Sequence, residues 1–252
     1  MDMFLYMDKD TFVHNLDPRT KIFVMFGTFT IALLFNSLPV LLALAALVLF
    51  YGYSGKVLAN LKRIRVILFM IALMSILIWS IVGGGETKLL GPITLEGFIY
   101  GLTVAVKFNV MIIAGMIFLS STTIEGISLG LVKLKIPYRG AFAFSTAIRL
   151  VPMIVGTSYT ITQAQRSRGL DLDSGSIFEK IKKYVPLIIP TFVSVIRGTN
   201  VFSMALESKG FGYDSERTNY LQLSYDKRDY IFMIITFILV AVSIYVKLTF
   251  DF

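Results

Sequence analysis

The residues best placed to act on another molecule lie in two short stretches. Ala164-Gln165-Arg166-Ser167-Arg168-Gly169 and Ala205-Leu206-Glu207-Ser208-Lys209-Gly210 share the form Ala-x-x-Ser-basic-Gly and lie 41 residues apart. Their chemistry is electrostatic, not catalytic. Each closes a stretch with helical spacing, and a cation at a helix C-terminus is favoured by the exposed carbonyls by about 0.3–1 kcal/mol. The following glycine suits the left-handed cap. Capping alone accounts for one such ending; two copies with matching Ala and Ser point to a repeated device. A cation at the tip of a rigid helix fits an acidic groove on another protein, where truncating one partner of a desolvated pair costs about 2–5 kcal/mol.

A second motif, His14-Asn15-Leu16-Asp17-Pro18-Arg19-Thr20-Lys21, precedes the first apolar run. Asp17 can cap a helix that starts at Pro18, where a missing N–H does no harm. Arg19 and Lys21 are expected at the level of the lipid headgroups. A cap followed by a cationic membrane anchor explains every residue type there, and His14 is expected on the surface.

The rest of the chain is poor in reactive groups. It has no cysteine and one histidine, which removes disulfides, thiol nucleophiles, Cys-ligated metals and a Ser-His-Asp triad. No P-loop is present; Gly52-Tyr53-Ser54-Gly55-Lys56 has the wrong spacing. Neither G-x-S-x-G, H-E-x-x-H nor a cluster of acidic metal ligands occurs. The expectation is a non-enzyme without cofactor or metal, drawing any transport energy from another subunit.

The elements that must position these motifs belong to a membrane protein. Hydrophobic residues make up 56% of the 252, charged residues 16%, and the mean hydropathy is +0.75; soluble domains carry about 25% charged residues. Residues 1–20 are polar, so no cleavable signal peptide is expected. A span needs roughly 17–25 apolar residues. The run from Ile22 to Tyr53 is broken at Asn36-Ser37-Leu38-Pro39 into two short spans; a third, Ile64 to Val82, ends at Gly83-Gly84-Gly85. A fourth covers Ile93 to Ser121 and a last one Tyr230 to Lys247.

Between them, charges and prolines interrupt the apolar pattern. Phe144, Ile148, Val151, Val155 and Tyr159 nevertheless follow helical steps of three and four, which draws one apolar stripe along an amphipathic helix. Such a helix lies at an interface or packs under other helices; two poorly hydrophobic spans shielded in a bundle are the alternative. The loop Lys56–Arg65 carries four basic residues and segment 121–229 carries 14 of the 24, which places both, and the N-terminus, in the cytoplasm. Lys107, in mid-span, is expected to face the bundle interior or a polar partner. The fold class is therefore all-α and polytopic, with about five transmembrane helices plus long amphipathic cytoplasmic helices. Its expected divisions are a cytoplasmic N-terminal segment 1–21, a four-helix membrane region 22–121, a cytoplasmic helical domain 122–229 and a C-terminal span 230–252.

The Leu16-Asp17-Pro18-Arg19-Thr20-Lys21 start and the paired Ser-Arg-Gly and Ser-Lys-Gly tips resemble the energy-coupling factor (ECF) transporter T component family, which includes the cobalt-transport permeases. The resemblance in organisation covers nearly the whole chain, and its specific motifs under 20 residues. It implies a membrane scaffold that joins two cytoplasmic ABC ATPases to a substrate-binding membrane subunit, the S component. In that family, tripeptides ending two coupling helices dock in the ATPases, which by position gives Ser167, Arg168 and Gly169 and Ser208, Lys209 and Gly210 that role. Asp17, Pro18 and Arg19 form the family's N-terminal motif. Ser replaces the usual Ala, and Lys209 lacks the bidentate fork of arginine. The resemblance makes the Phe144–Tyr159 stripe, with the helix from Leu187 to Ser208, the surface for the S component. The cargo would be a vitamin or a transition-metal ion, selected by another chain. A conventional ABC permease with its own substrate path, and an integral-membrane enzyme, are the competing classes.

Overall fold

The structure is a computed structural model that describes residues 6–7, 9–84, 87–90, 93–133, 137–172, 174–213 and 224–250. Gly85 and the ends of the chain at 1–5 and 251–252 lie outside the described residues. The helices are α1 (Pro18–Leu34), α2 (Leu38–Ser54), α3 (Leu61–Val82), α4 (Leu95–Ser121), α5 (Ile124–Lys133), α6 (Tyr138–Ser167), α7 (Ile177–Ser208) and α8 (Lys227–Phe250). A short 3-10 turn, Leu58–Asn60, leads into α3, and a two-stranded antiparallel ribbon, β1 (Lys88–Leu90) with β2 (Ile93–Thr94), joins α3 to α4. The ribbon is a small addition to an otherwise helical protein.

Among the described residues, five helical segments are long and apolar enough to cross a membrane: Leu58–Val82, Leu95–Ser121, Tyr138–Ser167, Phe178–Ser208 and Lys227–Thr249. These are not the five the sequence pattern picks out. Helices α1 and α2 have 17 residues each, about 25 Å, which falls short of a hydrocarbon core of about 30 Å. Conversely α6 and α7 run through Pro152 and through Pro186 and Pro190 without ending. Each holds one charge in its interior, Arg149 in α6 and Arg197 in α7, and the other charges lie toward the ends, as at Lys180, Lys182 and Lys183.

The chain forms two compact units, Met1–Pro137 with Leu223–Phe252, and Tyr138–Gln222. The first unit is built on a core of Ile31 and Ala32 from α1 with Phe35 just beyond its end, Leu41, Leu44 and Val48 from α2, and Val110, Ala114 and Ile117 from α4. Helix α3 lies along α4, where glycines let the backbones close up. A side chain on Gly97 would meet the Trp79 carbonyl at 2.5 Å, and one on Gly101 the Ile76 Cα at 3.0 Å; small residues at such a seam are how apolar helices pack without a solvent to drive them. The outer faces stay apolar and uncovered, with Phe50, Val66, Phe69 and Phe237 all at least 60% exposed, as lipid-facing surfaces require.

The second unit is an antiparallel pair. Tyr138 and Phe142 at the start of α6 meet Phe211 beyond the end of α7, with Phe142 and Phe211 rings 4.4 Å apart. Further along, Ser158 and Thr162 of α6 face Tyr184 and Thr191 of α7 across an apolar groove. Because the helices run in opposite directions, their C-terminal tips lie at opposite ends of the pair. A 30-residue helix is about 45 Å long, and that sets the scale of the separation.

Candidate functional site

The two repeats fold into the same structure. Helix α6 ends at Ser167 and α7 at Ser208, and the glycines that follow adopt the left-handed conformation, φ +89° at Gly169 and +71° at Gly210. At the first tip the Leu170 N–H donates to the Gln165 carbonyl and the Gly169 N–H to that of Arg166, both at 3.0 Å. At the second, Phe211 donates to Leu206 and Gly210 to Glu207, both at 2.9 Å. These are the paired bonds of a Schellman motif, and they place Arg168 and Lys209 at the same capping position of their helices.

Arg168 and Lys209 are both exposed. Among the described residues no carboxylate pairs with either. The two serines turn inward instead: Ser167 Oγ donates to the Gln163 carbonyl at 3.1 Å and Ser208 Oγ to that of Ala205 at 2.9 Å. A hydroxyl satisfied by its own helix asks nothing of a partner, so serine at this position leaves the cation as the feature on offer. The device is two free cations, each held at a rigid helix end.

On α6 the apolar stripe is open. Phe144, Val151, Val155 and Tyr159 are between 45% and 65% exposed, and Ile148 is half-buried. On α7 Ile188, Ile189, Phe192, Val201 and Met204 are likewise exposed. The antiparallel pair thus carries far more apolar surface than it covers itself.

The N-terminal motif is a buried clasp. Asp17 caps α1, accepting the Arg19 N–H at 2.8 Å, with Pro18 in the first turn. Its carboxylate also takes Arg19 Nε at 3.0 Å and Nη2 at 2.9 Å, and the guanidinium lies 3.8 Å over the Tyr225 ring. Hydrogen bonding to Asp17 raises the Arg19 pKa further, against the burial that lowers it. Lys21, 4% exposed, donates to the carbonyls of His14 at 2.8 Å and Ser121 at 2.7 Å. Burial pulls its ammonium down to about 8, while Asp229 and Asp17 push the other way.

Arg19 and Lys21 therefore turn into the protein and not out toward solvent. The reason is a residue 212 positions from Asp17. Asp229, 1% exposed, accepts the Asp17 N–H at 2.8 Å through Oδ1 and the Asp226 N–H at 2.9 Å through Oδ2. Nothing local to Asp17 announces that partner; only its place at the start of α8 hints at it. On the other side, α5 packs on the motif through Gly126 and Gly130, where an added side chain would come within 3.2 and 3.4 Å of Pro18. The clasp joins α5 and the start of α8 to the start of α1. His14, half-buried, bonds Thr11 Oγ1 through Nδ1 at 2.6 Å. Lys107 finds the polar partner expected of it, Asn36 Oδ1 at 2.6 Å. Among the described residues no group of three His, Asp or Glu side chains is placed to hold a metal.

Known proteins are similar to this chain in sequence. The cobalt transport protein family CbiQ matches residues 9–220. The energy-coupling factor transporter transmembrane protein EcfT of Limosilactobacillus fermentum is 30% identical over 96% of this chain and 95% of its own length. That of Lacticaseibacillus paracasei is 31% identical over 90% of each, and that of Staphylococcus aureus 30% over 89% of this chain and 88% of its own.

Proposed function

The chain belongs to the CbiQ family of transporter membrane proteins with these EcfT relatives, and from that premise we propose that it is the non-catalytic coupling subunit of an ATP-driven importer. It is a multi-pass membrane protein, the transmembrane component of an energy-coupling factor transporter. Two cytoplasmic ABC ATPases supply the energy, and an S component in the membrane selects the cargo, a vitamin or a transition-metal ion. Arg168 and Lys209 are the docking cations, one for each ATPase, with Ser167, Gly169, Ser208 and Gly210 completing the tips.

The single observation that carries this reading is the identity of the two tips. The same cap geometry presents an unpaired cation at each end of one antiparallel pair, which suits two separate grooves better than one. When ATP closes the ATPase pair, both tips are pulled, and the helices between them tilt whatever rests on their apolar faces. Phe144, Ile148, Val151, Val155 and Tyr159 form that bearing surface for the S component. The N-terminus lies on the cytoplasmic side, as the four basic residues of the Lys56–Arg65 loop favour, and α6 and α7, though long enough to cross the membrane, lie along that side, so that both tips reach the ATPases.

The test is recovery of both ATPases on a tagged chain, together with uptake in vesicles. Arg168→Ala with Lys209→Ala should lower recovery by about tenfold or more and abolish uptake. Unchanged recovery and uptake would remove the docking assignment. Lys209→Arg should preserve both activities, since arginine adds a bidentate fork to the same charge.

A further inference from the structure

The short hairpin of α1 and α2 ends in a polar cluster at an awkward depth. The bond from Lys21 Nζ to the Ser121 carbonyl sets the start of α1 level with the end of α4. Lys107 lies 14 residues back along α4, about 21 Å from that level, and its ammonium reaches Asn36 at the hairpin tip. Lys247 of α8 reaches the same tip, donating to the Leu34 carbonyl at 2.6 Å. A hydrocarbon core of about 30 Å would extend well beyond this tip. Yet here two half-buried ammonium groups reach one hairpin tip, each bonded to a neutral oxygen, and no carboxylate pairs with either among the described residues. Ser37, next in the chain after Asn36, has a buried Oγ with no hydrogen-bond partner.

Below the tip runs an apolar groove of about 140 Å3 between α2 and α8, floored by α1 and α4 and lined by Thr28, Ile31, Leu47, Ala114, Thr236 and Leu239. Its walls lead to the lysines. Lys107 and Ala114 are seven residues apart, and Thr236 and Lys247 eleven, so each pair shares a helix face. From Lys21 to Ile31, both at the groove, α1 rises about 15 Å, the depth of one leaflet's hydrocarbon.

We infer that this end of the molecule binds one anionic phospholipid, its phosphate between Lys107 and Lys247 and one acyl chain in the groove. A phosphodiester carries one negative charge, which relieves the repulsion between the two ammonium groups, and its oxygens accept their remaining N–H donors. It also brings a headgroup down to a hairpin too short to reach one, so the bilayer thins here. The site stands apart from the two helix tips and does not rely on what they dock.

The complex, purified with its partner subunits, would be placed in nanodiscs of equal parts phosphatidylglycerol and phosphatidylcholine. Lipid retained on transfer to detergent would be counted by native mass spectrometry. One phosphatidylglycerol per chain should remain, reduced by about tenfold or more in Lys107→Gln with Lys247→Gln and unchanged in Lys88→Gln. Should the double glutamine variant fail to assemble, Lys107→Arg with Lys247→Arg should keep the lipid, while Leu47→Trp, which fills the groove, should expel it. Retention by the glutamine pair or by Leu47→Trp overturns the site, as does equal retention of phosphatidylcholine.

Discussion

Asp229 shows how much rests on single side chains in this fold. Its carboxylate satisfies the N–H groups of Asp17 and Asp226 and faces the buried Lys21 ammonium. Hydrogen bonds to a charged group are worth about 1.5–3 kcal/mol each. Asp229→Ala should therefore destabilise the protein by roughly 3 kcal/mol, read as a drop in melting temperature of the detergent-solubilised protein. A change as small as that of an exposed site such as Asp226→Ala would refute the clasp. Lys21 adds a pH signature. Its folded pKa, about 8, lies below the ordinary lysine value, so the unfolded chain holds more protons in between, and stability from this group rises with pH above about 8. The wild type should gain on Lys21→Met between pH 8 and 10; a constant difference would mean the ammonium is not desolvated. At this scale the sequence spoke where partners are local. Asp17 as a cap was legible from Pro18, and Arg168 and Lys209 from their repeat. Asp229 was not, because a carboxylate at a helix start has ample local reasons to be there.

Among the elements, the tips depend on glycines in a conformation that costs other residues about 1–2 kcal/mol. Gly169→Ala and Gly210→Ala should each unwind the cap, redirect the neighbouring cation and lower ATPase recovery. Gly169→Asn should be milder, since asparagine visits the left-handed region. Gly140→Ala, in an open helical position of α6, should leave recovery intact. Equal recovery for Gly169→Ala and Gly140→Ala would show that cap geometry does not aim the cation. Helix ends were readable here because Gly after a basic residue is a strong stop. Helix lengths were less so. The run from Ile22 to Tyr53 is apolar enough for two spans, but the polar turn at Asn36 takes residues from both, while α6 and α7 continue through their prolines.

For the whole molecule, the division into two units follows a boundary that composition marks only loosely. The change after Ser121 in charge and proline content is visible in the sequence, yet α5 belongs with α1 through contacts at Gly126 and Gly130, which only packing reveals. The apolar stripe on α6 was legible from its spacing, and its exposure follows from what the partner helix leaves uncovered. The proposed role of the two tips as the ATPase contacts can be tested in place. The most direct measurement places a photo-crosslinking residue at Asp171 and, separately, at Tyr213, each exposed just beyond a tip, in membranes that contain the full transporter. We expect each position to give an adduct of this chain with an ATPase subunit, lost when the adjacent Arg168 or Lys209 is changed to Ala. Adducts with lipid or the S component alone, at both positions, would contradict it.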